Sequence, residues 1–371
     1  MVKWSDLPHQ LELPIAIDAA LDRAAGLIIA AKRPLVMFGA AASRAAASHP
    51  GLTTDMEQFV NRTGIPFFTT QMGKGTVPES SHLYMGTAAV SEGDNVHDAV
   101  DKADLIIAIG HDTCEKPPFI MSEDGPKVIH IGDQSPPVEE VYFPQFELIG
   151  EIGHSLKALA DRLEGKLPNA GALLPLRKNT LTRISDGADE KCSSFTLEQV
   201  VQVVRMVMPK DGIVALDNGF YKLSFARYYR TYAPNTLLLD NMLATMGAGL
   251  PSAIVASMLY PGRRVMAVCG DGGFQMTGQE LMTAVEQKLN LVVLILDNGG
   301  WGMIEAKQTA RGFPKFGVDF RNPDFVKWAE ACGANGTRVE TLDDLARALE
   351  AAFEGGGVHV VEVRIDYAEN K

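Results

Sequence analysis

The amino-acid sequence predicts an α/β protein built of two doubly wound parallel-sheet domains. Three observations carry this expectation. Short runs such as Leu105–Ile109, Val265-Met266-Ala267-Val268-Cys269 and Leu291 to Leu296 are apolar at every position, the pattern of strands buried on both faces. These runs alternate with helix-compatible segments, the signature of βα units. Several runs end in polar, Gly-rich turns, notably Gly270-Asp271-Gly272-Gly273 and Asp297-Asn298-Gly299-Gly300. Open α/β sheets bind ligands in the crevice beyond such strand ends.

In the first half, Leu11 to Pro14 reads as a short strand fragment, and Ala16 to Ala31 as an Ala/Leu/Ile-rich amphipathic helix. Pro34–Phe38 is a strand, Gly51 to Gly64 a helix, and Ile65 to Thr69 a strand. Leu105–Ile109 and Val128 to Ile131 are further strands, and Glu151 to Leu163 is a helix. The first turn, Gly39-Ala40-Ala41-Ala42-Ser43-Arg44, lacks the G-x-G-x-x-G spacing, which argues against a nicotinamide site. His111 and Asp112 follow a strand and read as loop-structuring residues, because nothing nearby completes a catalytic set.

Residues 165–194 are rich in Gly, Pro, Asn, Lys and Asp without apolar periodicity, and read as an interdomain linker. Beyond it, Thr196 and Gln199 form a capping box for a helix reaching Met208. Ile213–Leu216 is a strand ending at Asp217-Asn218-Gly219-Phe220-Tyr221, and Leu237 to Leu239 is the next. The loop Leu243-Ala244-Thr245-Met246-Gly247 follows. Helices at Pro323 to Ala331 and Leu342 to Phe353 and a strand at Val358 to Ile365 close the second domain.

The Gly270–Gly273 turn and Asn298 together suit a metal-bound diphosphate. Mg²⁺ prefers an octahedron of hard oxygens, here a carboxylate, an amide oxygen, a backbone carbonyl and the ligand's own phosphates. Gly272 and Gly273 lack a Cβ, so backbone N–H groups can approach phosphate. A helix beginning near Met276 would add its N-terminal dipole. The separation of Asp271 from Asn298 leaves room for one helix and one strand, so both fall at strand ends.

Gly270-Asp271-Gly272 followed by Asn298 resembles the diphosphate–metal motif of thiamine-diphosphate (ThDP) enzymes. The run from Ala267 to Met303, AVCGDGGFQMTGQELMTAVEQKLNLVVLILDNGGWGM, is similar to the acetolactate (acetohydroxyacid) synthase group. The resemblance extends over most of the chain. It implies Asp271, Asn298 and the Gly300 carbonyl as Mg²⁺ ligands. It implies Gly219, Phe220, Tyr221, Gly270, Gly272, Gly273, Gly302 and Met303 as cofactor contacts. Phe220 and Tyr221 depart from the group's polar pair, leaving their backbone N–H groups as donors. Met246 would wedge the cofactor into its V shape, and the Ala244 carbonyl would meet its 4′-amino group. Met303 and Ile304 would line the substrate pocket. Lys307 stands where biosynthetic synthases carry a Trp, which removes the argument for a biosynthetic two-substrate specificity.

The resemblance also implies an organisation: residues 1–14 as the end of a pyrimidine-binding (PYR) domain, 15–164 as a Rossmann-like middle domain, and 195–371 as the pyrophosphate-binding domain. The group's activating Glu belongs to the PYR body, so no catalytic residue is assigned; Glu12 belongs to the last strand of that domain and is not that residue, and neither Glu280 nor Glu305 can be assigned the role from sequence. FAD is not expected, because Gly110-His111-Asp112-Thr113-Cys114-Glu115-Lys116-Pro117-Pro118 lacks the Arg-bearing segment of flavin-holding relatives. The implied activity is a ThDP- and Mg²⁺-dependent transferase reaction: decarboxylation of pyruvate and condensation to 2-acetolactate, the chemistry that opens branched-chain amino acid biosynthesis. A simple 2-oxo acid decarboxylase, and a non-catalytic ThDP-binding fragment or subunit needing a separate PYR chain, stay open beside it. The expected assembly is a homo-oligomer or a complex with a PYR-domain chain.

Composition agrees. A net charge of −12 and a pI of about 5.2 disfavour nucleic acid or anionic membrane as partners. No apolar run reaches a membrane span, and the N-terminus does not read as a signal peptide. Cys114, Cys192, Cys269 and Cys332 are scattered without a CxxC, as in a reduced cytoplasmic protein.

Overall fold

The computed structural model describes residues 13–49, 51–115, 117–137, 140–186 and 195–365. The expectations for Leu11, Glu12 and Cys192 lie outside these residues. The chain forms two six-stranded, all-parallel sheets with helices on both faces.

The first sheet comprises β1 (Pro34–Phe38), β2 (Phe67–Thr70), β3 (Tyr84–Ala88), β4 (Leu105–Ile109), β5 (Lys127–Gly132) and β6 (Phe146–Ile149), in the order β3-β2-β1-β4-β5-β6. Alternate side chains point to opposite faces. Val36, Phe38, Ile107 and Ile109 join one core, and Leu35, Met37, Ile106 and Ala108 the other. That two-sided burial explains why these runs carry no polar position. Helices Asp18–Ala30, Leu52–Thr63 and Ile152–Leu163 cover the first of these faces. The strands β3 and β6 escaped the sequence reading, because Tyr84-Met-Gly-Thr-Ala and Phe146-Glu-Leu-Ile mix polar and small residues at sheet edges.

The second sheet comprises β7 (Ile213–Leu216), β8 (Leu237–Leu238), β9 (Val265–Gly270), β10 (Leu291–Asp297), β11 (Asn335–Val339) and β12 (Val358–Arg364), in the order β11-β12-β10-β9-β7-β8. The helix Leu197–Val207 carries the expected Thr196/Gln199 capping box and buries Leu197, Val200, Val201, Val204 and Val207. Burying one such side chain contributes roughly 1.5–3 kcal/mol. The span read as a linker holds the helix Arg177–Asp186, where the Arg177 Nε donates to the Tyr84 carbonyl at 2.9 Å and ties it to β3.

Among the described residues, polar contacts at several places join the domains. Glu79 forms a buried ion pair with Lys74 (2.8 Å) and accepts from Thr231 N at 3.0 Å. Arg227 pairs with Asp94 at 2.7 Å. Asn235 donates to the Ser43 carbonyl at 3.0 Å, and Asn241 to Glu115 at 3.4 Å. Among the described residues no helix is long and apolar enough to cross a membrane.

Candidate functional site

The strand order fixes where the second domain can hold a ligand. From β7 the chain moves to edge strand β8, then crosses to the other side of β7 to form β9. The sheet therefore reverses direction between β7 and β9, and a crevice opens beyond their carboxyl ends. Asp217 follows β7 and Asp271 follows β9. A cavity of about 320 Å³ opens there. The residues expected around the cofactor, the metal and the substrate all border it: Gly219, Phe220, Tyr221, Ala244, Met246, Gly270, Asp271, Gly272, Gly273, Asn298, Gly300, Gly302, Met303 and Ile304.

One local expectation needs correction. The helix after the Gly-rich turn starts at Asp271, not near Met276. Gly272 and Gly273 form its first turn, so the glycines are packed as well as open to a ligand. A Cβ on Gly272 would lie 2.2 Å from the Trp301 ring, and one on Gly273 2.1 Å from Asp217 Oδ2.

Asp271 is almost fully buried. Its Oδ1 accepts from Gly272 N (2.8 Å), and its Oδ2 from Gly299 N (2.7 Å) and Asn322 Nδ2 (2.8 Å). Burial raises its pKa, and the Asp297 charge adds to that, against the lowering effect of these donors. Asn298 sits one residue beyond β10, half-buried, on the wall between the cavity and a second groove lined by Arg321 and Arg364. The expected donor set is one carboxylate, one amide and the Gly300 carbonyl, all three bordering the cavity. Among the described residues no cluster of three or more His, Cys, Asp or Glu side chains could hold a metal alone. A hard cation here therefore needs ligands from a bound phosphate, which fits a metal–diphosphate complex.

Tyr221 does not offer its side chain to a ligand. It is buried, and its hydroxyl accepts from Gly270 N at 2.8 Å, closing the Gly219 loop against the Asp271 turn. The Asp240–Met246 loop forms another wall; within it Ala244 has φ 49°, a left-handed conformation rare for alanine. The helix Gly302–Ala310 brings Met303, Ile304 and Lys307 to the cavity rim.

Other acids and His111 stand elsewhere. Glu280 accepts from Thr283 Oγ1 (2.8 Å) on an exposed surface, and Glu305 pairs with Lys315 (3.0 Å); neither lines the cavity. Asp112 accepts from Cys114 N (2.9 Å) and pairs with Arg44, the loop-structuring role expected. His111 is buried against Tyr142, with ring centroids 4.5 Å apart, and among the described residues neither ring nitrogen has a hydrogen-bond partner.

Several residues at the site carry no assignment from the sequence, Asn218, Leu223 and Trp301 on the cavity wall among them. Asn322 bonds Asp271 from 51 positions away. Lys222 lines the cavity. Gln71 reaches it from the first domain. Asp217 receives Gly247 N (2.8 Å) and Ala248 N (3.3 Å) on Oδ1 while its buried Oδ2 has no partner, and burial pushes its pKa to about 6. Asp217 had a local signal, its place at a strand end, and Lys222 directly follows the Gly219–Tyr221 segment; Asn322 and Gln71 are brought in by tertiary contacts.

Comparison with known proteins gives two family matches. The profile described as "Thiamine pyrophosphate enzyme, central domain" matches residues 21–159, and "Thiamine pyrophosphate enzyme, C-terminal TPP binding domain" matches residues 217–363. The chain is 29% identical over 360 residues to the acetolactate synthase of Bacillus subtilis (strain 168), covering 96% of this chain and 62% of that protein. It is 30% identical over 366 residues to the catabolic acetolactate synthase of Raoultella terrigena, covering 97% and 64%. It is 26% identical over 347 residues to the pyruvate oxidase of Lactiplantibacillus plantarum, covering 92% and 56%. The chain thus spans less than two thirds of the length of these relatives.

Proposed function

We propose, because this chain belongs to the thiamine pyrophosphate enzymes and carries their central and C-terminal TPP-binding domains, that it is the cofactor-holding part of a Mg²⁺-dependent 2-oxo acid carboligase of the acetolactate synthase kind. The observation that carries this reading is the convergence of the Gly219, Ala244–Met246, Gly270–Gly273 and Asn298–Gly300 segments on one cavity. Its substrates would be pyruvate and a second 2-oxo acid, as the names of the relatives suggest.

ThDP, when bound, supplies the electron sink for decarboxylation. The chain's own residues would hold and orient it. Asp271, Asn298 and the Gly300 carbonyl would bind the Mg²⁺ on the diphosphate. Backbone N–H groups of Gly219 to Tyr221 and of Gly272 and Gly273 would meet the phosphate oxygens. The Ala244 carbonyl would accept from the 4′-amino group, and Met246 would support the folded rings. Met303 and Ile304 would exclude water from the reacting carbon.

The first domain has its own reversal point, between β1 and β4, and we propose that it holds no flavin. There, Ala41 N and Ala42 N donate to the Gly110 carbonyl (2.8 and 3.3 Å), and Ala40 N donates to the Glu115 carboxylate (3.2 Å). The donors that a dinucleotide would use are thus bonded within the chain.

Incubation with pyruvate, ThDP and Mg²⁺ tests the reading. Acetolactate as product supports the carboligase; free aldehyde would make it a simple decarboxylase. No CO₂ release, with or without an added PYR-domain chain, would exclude both.

A further inference from the structure

The cavity wall carries three charged side chains: Asp271, Lys307 and Lys222. Asp271 belongs to the metal set, and Lys307 is exposed at the rim. Lys222 is different. It is 7% exposed, in the first turn of the helix Tyr221–Tyr228. Its Nζ donates to Asn218 Oδ1 at 2.7 Å and to the Asp240 carbonyl at 2.5 Å.

Both partners hold the Asp240–Met246 loop. Asn218 Nδ2 donates to the Thr245 carbonyl at 2.9 Å, and the Asp240 carboxylate accepts from Met242 N (3.2 Å) and Thr245 N (3.0 Å). Packing contributes little to this loop: Met242 and Leu243 are largely exposed, and Ala244 keeps its left-handed backbone without a glycine's freedom. The loop's shape therefore rests on polar contacts, and Lys222 bonds to both ends of them. Without its ammonium, Asn218 Oδ1 and the Asp240 carbonyl would each lose a donor in a half-buried setting.

We propose that Lys222 is a positioning residue of the cofactor site: its buried ammonium fixes the Asp240–Met246 loop, and through it the Ala244 carbonyl and the Met246 side chain. This rests on the ThDP reading above. The loop faces the rings of the cofactor, whereas the diphosphate sits on the Gly272 and Gly219 segments. Lys222 therefore acts on ThDP affinity more than on pyrophosphate affinity.

Its charge adds a second signature. Burial lowers the Lys222 pKa to about 8, while the Asp240 and Glu115 carboxylates oppose that fall; Asp271 and Lys307 are the other charges on the cavity. Above that pH the group becomes a neutral amine, a weaker donor than the ammonium.

Calorimetry on the full chain, titrating ThDP with Mg²⁺ and, separately, inorganic pyrophosphate with Mg²⁺, decides this. In Lys222→Met, ThDP affinity is expected to fall about tenfold, the loss of roughly one charged hydrogen bond, with a clearly smaller loss for pyrophosphate. Wild-type ThDP affinity is expected to drop between pH 7 and 9. Lys222→Arg, whose guanidinium stays charged, is expected to retain binding without that drop. Equal losses of both ligands in Lys222→Met would overturn the proposal, as would a wild-type affinity that is flat across this pH range; the latter needs no variant to fold. A wild-type chain that binds pyrophosphate but no ThDP would overturn the cofactor reading and this proposal together.

Discussion

Asp271 and Asp297, at the carboxyl ends of neighbouring strands, accept hydrogen bonds from the same two donors. Gly299 N lies 2.7 Å from Asp271 Oδ2 and 3.0 Å from Asp297 Oδ1, and Asn322 Nδ2 lies 2.8 and 2.6 Å from the same atoms. Two carboxylates held this close repel each other, and a divalent cation at Asp271 relieves that repulsion.

The first prediction follows from this pairing. Asp271→Ala removes the charged ligand of the proposed metal set and is expected to abolish Mg²⁺-dependent ThDP binding with the fold intact by circular dichroism. Asn322→Ala removes a group that orients Asp271 and is expected to weaken Mg²⁺ affinity roughly 10–100-fold. Unchanged calorimetric binding in Asp271→Ala would refute the assignment.

A second prediction concerns packing under the Gly-rich turn. Gly273→Ala drives a methyl group to 2.1 Å from Asp217 Oδ2. Overpacking of this kind costs roughly 1–3 kcal/mol. A urea denaturation midpoint equal to wild type would show that the Asp217 loop moves aside freely.

The third concerns acid stability. Burial lowers the His111 pKa to about 4, with the neighbouring His130 adding to it. Between about pH 6.5 and 4 the unfolded chain takes up a proton that the folded chain refuses. Stability from this group is thus full at neutral pH and is lost as pH falls, by up to roughly 3 kcal/mol. His111→Phe keeps a ring against Tyr142 and breaks no hydrogen bond, since neither ring nitrogen has one. Its unfolding free energy should depend less on pH over this range; an identical slope would place the acid sensitivity elsewhere.

Flavin content is a fourth test. With Glu115 and the Gly110 carbonyl occupying the donors at the first domain's reversal point, the purified protein is expected to be colourless. A stoichiometric flavin absorbance band would contradict this.

Association is the fifth. Val255, Met258 and Leu259 form an exposed apolar face on the helix Gly249–Leu259, and Leu243 and Phe316 are more than four-fifths exposed, at 81% and 83%. Apolar surface of this extent favours self-association or a partner chain. Light scattering is expected to show a species larger than one chain, and a monomer at micromolar concentration would argue against it.

By itself, the sequence determined the class of fold and the points where chemistry can sit. Strand β4 and the stretches Val265–Cys269 of β9 and Leu291–Leu296 of β10 are apolar throughout because both their faces are buried, and that is written in consecutive residues. The Thr196/Gln199 cap and the strand-end positions of Asp271 and Asn298 are likewise local patterns. Tertiary structure alone decided the rest. The edge strands β3, β6 and β11 owe their pairing to neighbours far along the chain, because their own residues are too mixed to announce it. The close approach of Trp301 to Gly272 and of Asp217 to Gly273, which leaves no room for a Cβ at either, is likewise a tertiary contact. Asn322 and Gln71 reach the site through contacts between distant segments, and periodicity in a sequence carries no information about which distant group will satisfy a buried donor or acceptor.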